Sequence, residues 1–349
     1  MRFIGLDVGN GSIGMCIRPS YGRVQTDIYP SAYAVYDNTL LNVSTGQRTK
    51  KQPNVFTFDN TDYVLGSDVR LAGAKAINAY DREDRYNRPQ FQTLTKLALL
   101  DAATKNGSTG VIEVELALGT PAEDYRVAVT EELNRWFEAP VVGYKNQQRV
   151  EVHVKRLEIA SQPIAVLMDS YLDDWGFVSN EELENMKVLV IDSGSGTLDF
   201  SEFDGMNLIK QVSAGIGMND VYQDILNVIR SEFPKVRADV FELEAQLREC
   251  DDSDTKYFKY GQMGERDITP IYKKAMDEAW ERMLGAIGVN FPDRFHLDKV
   301  ILAGGTGQAF AKYYRSFMSD IEIPVRPDLS IARGLCKQVL ANTAFPITP

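Results

Sequence analysis

At 349 residues, 44% apolar and 25% charged, the chain has ordinary globular composition, long enough for two domains and suggestive of neither disorder nor a coiled coil. Its formal net charge of −11 argues against direct nucleic-acid binding, because phosphate contacts need clustered Lys and Arg. No apolar run approaches the roughly 20 residues that cross a bilayer. Met1–Asp7 reads as a strand rather than a signal peptide, and Cys16, Cys250 and Cys336 are widely spaced, so a reduced cytoplasmic chain is expected. With only His153 and His296 present, a His-based metal site and a Ser/His/Asp triad are both disfavoured.

The chain opens with Phe3-Ile-Gly-Leu-Asp7-Val-Gly9-Asn10-Gly11-Ser12, an apolar strand that ends in an Asp and turns through two glycines. Ser20–Asp59 is polar and irregular, with a basic run at Arg48-Thr-Lys-Lys51, and reads as a small subdomain continuing to about residue 85. Phe91, Leu94, Leu97 and Ala98 recur at helical spacing, predicting an amphipathic helix over Pro89–Thr104. Val111–Gly119 reads as a strand, and Val150–Ile159 alternates as a half-buried strand that takes His153 as a sheet side chain. Ser161-Gln162-Pro163 then starts a helix, with Ser as cap and Pro in the first turn.

An acidic stretch, Ser179–Asn185, is the expected hinge. Beyond it the opening phrase returns as Val188-Leu-Val-Ile-Asp192-Ser-Gly194-Ser195-Gly196-Thr197. Strands are expected over 187–214, helices from Asn219 to the mid-250s and over Thr269–Gly285, and a strand at Lys299–Ala303. That strand runs into the glycine loop Gly304-Gly305-Thr306-Gly307, and a last helix begins near Ser330. Alternating strands and helices in both halves predict an α/β fold.

The repetition carries the chemistry. A glycine turn after a buried strand exposes backbone N–H groups to an anion and lets the backbone approach it closely. Ser12 and Thr197 add hydroxyl donors, and Asp7 and Asp192 stand at the strand ends. Two carboxylates beside phosphates suit Mg²⁺, which keeps several waters and takes one or two protein carboxylates. Taken alone, either hairpin also reads as an ordinary β-turn, since Asn-Gly and Ser-Gly favour turns. Taken together with the Gly304 loop, the pair points to a nucleotide held between two related halves. Neither GxGxxG nor a P-loop lysine is present, which disfavours nicotinamide and P-loop enzymes.

These motifs resemble the actin-like ATPase superfamily over nearly the whole chain. Asp7–Ser12 is similar to its phosphate loop 1, Asp192–Asp199 to phosphate loop 2, and Leu302–Gly307 to its adenosine loop. Within the superfamily, Asp192-Ser-Gly-Ser-Gly-Thr-Leu-Asp199 looks most like the plasmid-segregating actins of the ParM/StbA type. The resemblance implies an actin-like fold, with domain I over 1–178 plus 331–349 and domain II over 187–330.

By the same resemblance, Asp7 and Asp192 hold Mg²⁺, while Gly9, Asn10, Gly11 and Ser12 with Gly194, Ser195, Gly196 and Thr197 cradle the β- and γ-phosphates of ATP. GTP is left open. Gly217 and Asp220 approach the ribose, and Gly304, Gly305 and Thr306 the adenosine. Gln162 orients the attacking water, with Glu158 as fallback; its plainer role is a helix N-terminal side chain that serves the backbone. Many relatives carry a Lys on the strand after loop 1; here that position is Gly14, and Arg18 is the closest cation in sequence.

The implied function is a cytomotive filament, assembling head to tail with ATP and engaging DNA through a basic adaptor protein. A small-molecule kinase, with Asp101, Asp124 or Asp169 as general base, is the second reading. A nucleotide-binding adaptor that does not polymerise is the third.

Overall fold

The computed structural model describes residues 1–20, 22–37, 52–73, 75–78, 85–250, 254–292 and 296–344. The basic run expected at Arg48–Lys51 lies outside the described residues. The chain divides into two compact units, Met1–Asn185 with Pro324–Pro349, and Met186–Ile323.

In the first unit the strands are β1 (Arg2–Val8), β2 (Ser12–Pro19), β3 (Gln25–Pro30), β4 (Ala32–Val35), β5 (Phe56–Phe58), β6 (Thr61–Leu65), β7 (Ile77–Asn78), β8 (Gly110–Thr120), β9 (Val141–Lys145) and β10 (Gln148–Ser161). Its first helices are α1 (Asp68–Leu71), α2 (Pro89–Ala103), α3 (Val127–Trp136) and α4 (Gln162–Tyr171). The ten strands form one sheet, in the order β3-β2-β1-β8-β10-β9-β5-β6-β4-β7. β1 lies antiparallel to β2 and parallel to β8, and β8 is parallel to β10. Ile4, Leu6, Leu116 and Val152 from these central strands are fully buried with Leu94, Leu97 and Ala98 of α2.

Ser20–Asp59 is more regular than its polar composition predicts. β3 forms the edge of the sheet beside β2, where Ile28 and Tyr29 are half-buried, and an edge strand needs only partial apolar character. β4 is buried through Ala32, Tyr33 and Ala34.

The second unit runs β11 (Lys187–Ser193), β12 (Leu198–Asp204), β13 (Asn207–Ala214), α5 (Met218–Glu232), α6 (Val240–Glu249), β14 (Tyr257–Lys259), β15 (Glu265–Asp267), α7 (Thr269–Asn290), β16 (Lys299–Ala303) and α8 (Gly305–Phe317). Its main sheet has the order β13-β12-β11-β16, with β16 parallel to β11. Leu189, Ile191, Phe200, Ile225, Met283 and Phe310 build its core.

The helical stretch expected from Asn219 to the mid-250s is two helices. Pro234 lacks the N–H that would continue α5, and the Asp239 carboxylate starts α6 by accepting the Glu242 N–H at 2.9 Å. α7 runs past its expected end at Gly285, because buried Ile287 continues its apolar stripe. The chain then returns to the first unit with α9 (Ser330–Ala344), which packs on α4, β1 and β8.

Candidate functional site

In the second unit, parallel pairing aligns Asp192 at the end of β11 with Ala303 at the end of β16. The loops that leave those strands are therefore neighbours at the carboxyl ends of the sheet, where open α/β sheets take their ligands. Gly304 has φ +88°, and a β-carbon on it would stand 2.3 Å from the Ser193 carbonyl oxygen and 2.5 Å from Asp192 Oδ1. Only glycine fits there. The Thr306 hydroxyl donates to the Gly194 carbonyl at 2.6 Å, which ties the first turn of α8 to the loop 194–197.

A third segment joins them. A β-carbon on Gly217 would lie 2.3 Å from the Ser195 carbonyl oxygen, and the Asn219 N–H donates to that same oxygen at 2.8 Å. The starts of α5 and α8 are thus both fastened to one glycine loop, and helix starts favour anions. Asp220 serves its own helix, its carboxylate accepting the Gly217 N–H at 2.9 Å. Gly305 has nothing within 4 Å of where a β-carbon would be. Asp192 stands opposite Asp199 across the β11–β12 ladder, which places both side chains on one face of the sheet.

The loops at Gly9–Ser12 and Gly194–Thr197 share one construction. The Gly9 N–H donates to the Ser12 carbonyl at 3.0 Å, and the Gly194 N–H to the Thr197 carbonyl at 2.8 Å. Among the described residues, the N–H groups of Asn10, Gly11, Ser195 and Gly196 find no backbone acceptor. None of the four loop glycines has a positive φ, nor do Asn10 and Ser195. A type I′ hairpin turn needs positive φ at both central residues, so neither loop is one, although each closes an antiparallel hairpin. An anion-binding nest of alternating hand is excluded on the same ground.

In the first unit, Asp7 is next to last in β1 and pairs with Gly14 of β2. Gln162, the first residue of α4, donates from Nε2 to Asp7 Oδ1 at 2.7 Å rather than serving the helix backbone. Glu158 is held elsewhere, with the Asn342 amide on Oε2 at 2.9 Å and Arg156 at 2.9 Å. His153 lies in β10 and meets Glu151 at 2.8 Å.

Asp7 keeps part of its surface open, but its carboxyl is enclosed, and burial pushes its pKa from an ordinary 3.8 up to about 6. The Gln162 hydrogen bond and the Arg85 charge both lower it, so desolvation outweighs them. Because the folded pKa exceeds the unfolded one, folding is favoured by the protonated form, and that stability is lost as pH rises through about 6. Asp7→Asn is therefore expected to raise the melting temperature of the ligand-free protein at pH 7.5, by at most about 3 kcal/mol in stability. The gain should shrink below pH 6 and vanish near pH 4; equal melting temperatures at pH 7.5 would contradict it.

Residues 5–164 match the model of the actin-like proteins' N-terminal domain. The apo psk41 ParM protein superposes with a TM-score of 0.72 at 18% identity, over 98% of each chain. Ta0583, an archaeal actin homologue, gives 0.70 at 16% identity, over 98% of this chain and 100% of that one. Bacillus thuringiensis ParM with ATP gives 0.70 at 16% identity, over 99% of this chain and 98% of that one. The chain has the actin-like fold. A search of curated proteins by sequence finds no match.

The strand after loop 1 has Gly14 where many relatives carry a Lys. Arg18 stacks its guanidinium on Trp175, 3.7 Å from the ring centroid, and takes no part in loop 1. Arg85, which no motif marks, donates instead to Asn10 Oδ1 at 3.4 Å and pairs with Asp124 at 2.9 Å. Only the tertiary fold joins residue 85 to residue 10, and its one local signal is an Arg-Tyr pair just before the start of α2. Among the described residues, no three His, Cys, Asp or Glu side chains cluster as a metal site, and no helix is long and apolar enough to cross a membrane.

Proposed function

We propose that the chain is an actin-like ATPase that binds Mg-ATP and assembles into nucleotide-dependent filaments, for DNA segregation through a separate DNA-binding adaptor. The observation that carries this reading is the convergence of Gly217 and Thr306 on the loop 194–197 and of Gly304 on Ser193 just before it, with no backbone acceptor among the described residues for the Ser195 and Gly196 N–H groups at the loop tip. The matching loop at Gly9–Ser12 supports a second phosphate cradle, and that both loops serve one nucleotide is part of the proposal. ATP bound in the Bacillus thuringiensis ParM neighbour supports the choice of ligand.

The donor set suits Mg²⁺. Two Asp side chains opposed across the β11–β12 ladder and a separate Asp beside loop 1 are oxygen donors of the kind Mg²⁺ takes alongside water and phosphate. Asp7 and Asp192 are the carboxylates that would hold it. When bound, the ion would neutralise charge on the phosphates. The chain's own part is positioning. Loop N–H groups hold phosphate oxygens, and Gln162, already directed at Asp7 2.7 Å away, orients the attacking water.

The kinase alternative needs a carboxylate poised as general base. Asp101 is held by Lys105 and Lys145 at 3.0 and 2.8 Å, Asp124 by Arg85 at 2.9 Å, and Asp169 by Arg333 and Lys337 at 2.6 and 3.0 Å. Cations hold all three, which favours the filament reading.

Light scattering tests the function. It is expected to rise on adding Mg-ATP, and a flat trace at saturating nucleotide would overturn the filament reading. Gln162→Ala should still bind ATP and assemble, with phosphate release slowed roughly a hundredfold and disassembly slowed to match. Wild-type phosphate release from that variant would remove Gln162 from the mechanism.

A further inference from the structure

Arg85 is 5% exposed and begins a short 3-10 turn, Arg85–Asn87, just ahead of α2. Its guanidinium stays charged in any protein, so withdrawing it from water requires compensation. Part of that comes from Asp124, whose Oδ2 accepts from Nη2 at 2.9 Å and from the Tyr86 hydroxyl at 3.2 Å. The aromatic rings of Tyr86 and Phe91 lie 5.1 and 5.5 Å from the guanidinium carbon. The side chain is thus fixed from one side.

Its other side is underused. Guanidinium offers five N–H donors. Nη1 makes only the long 3.4 Å contact to Asn10 Oδ1, and Nε is buried with no hydrogen-bond partner among the described residues. The contact it does make leads to the tip of loop 1, where the Asn10 and Gly11 N–H groups also lack a backbone acceptor. A fixed cation with spare donors, beside amides with none to answer them, is a preorganised acceptor for an anion.

We infer that Arg85 is the cation that binds a phosphate of the nucleotide at loop 1, held in place for that task by Asp124. This rests on the nucleotide reading above and adds a residue outside every glycine motif. The opposing strand offers no substitute, since the residue paired with Asp7 is Gly14.

The test is equilibrium binding of ATP and of adenosine to the full chain, because only a phosphate contact separates the two. Arg85→Met is expected to weaken ATP roughly ten- to hundredfold and to leave adenosine unchanged. Arg85→Lys, which retains the charge, should fall between Arg85→Met and wild type. Because Arg85→Met leaves Asp124 unpaired, Arg85→Met with Asp124→Asn is measured alongside and should show the same selective loss. Parallel losses of ATP and adenosine in both, or wild-type ATP affinity in either, would overturn the assignment. A wild-type chain that binds no ATP would instead overturn the proposed function itself.

Discussion

Asp192→Ala is expected to abolish nucleotide-dependent assembly while leaving the second unit folded. Asp192 is the next-to-last residue of β11, and its Oδ1 would lie 2.5 Å from a β-carbon on Gly304, so the carboxylate sits against the loop that follows β16. Thr306 and Gly217 fasten the neighbouring loop 194–197 in place around it. A lost charged contact of this kind costs roughly ten- to hundredfold in affinity. Loss of the proposed Mg²⁺ contact would add to that. Stability should not fall in step, because Asp192 is half-buried and lies outside the apolar core of the second unit. Light scattering and a thermal melt on the same sample check both halves. Normal assembly in Mg-ATP would remove Asp192 from the site, and a collapsed melt would make the effect structural.

Gly334→Ala should produce the largest loss of stability. Gly334 lies in α9 where that helix crosses α4, and a β-carbon would stand 1.7 Å from the Ala165 carbonyl oxygen and 3.1 Å from the Asp169 nitrogen. Both obstacles are helix backbone, which cannot swing aside as a side chain does. Forcing the helices apart is expected to cost about 3 kcal/mol or more. For a chain of 349 residues, whose unfolding entropy near 60 °C is about 0.7 kcal/mol/K, that lowers the melting temperature by roughly 4 °C or more. Gln162 is the first residue of α4, so the same shift should also slow phosphate release. A melting temperature within about 2 °C of wild type would show that the crossing has more room than its geometry gives it.

Much of the architecture was legible because it is written in local periodicity. The strand Lys299–Ala303, the helix from Pro89 and the start of the last helix at Ser330 follow from apolar spacing and proline placement. The strands within Ser20–Asp59 were not, because β3 needs only a half-buried edge and Pro30 ends it. Loop geometry was hidden for a different reason. Asn10-Gly11 and Ser195-Gly196 are dipeptides that favour left-handed turns, yet neither loop uses positive φ. Gly304 and Gly217 are required by close approach to Ser193 and Ser195, a fact about neighbours distant in sequence. Arg85 was the least visible of all. Its environment combines Asn10 from the β1–β2 loop with Asp124 after β8, and no spacing rule links the three.

Assembly of this chain when its glycine loops hold ATP would be visible as filaments. Electron microscopy of the purified protein with Mg-ATP tests it most directly. Filaments are expected with Mg-ATP, none without nucleotide, and none from Asp192→Ala under the same conditions. Dispersed particles from the wild-type chain at saturating Mg-ATP, or filaments from all three samples alike, would contradict it.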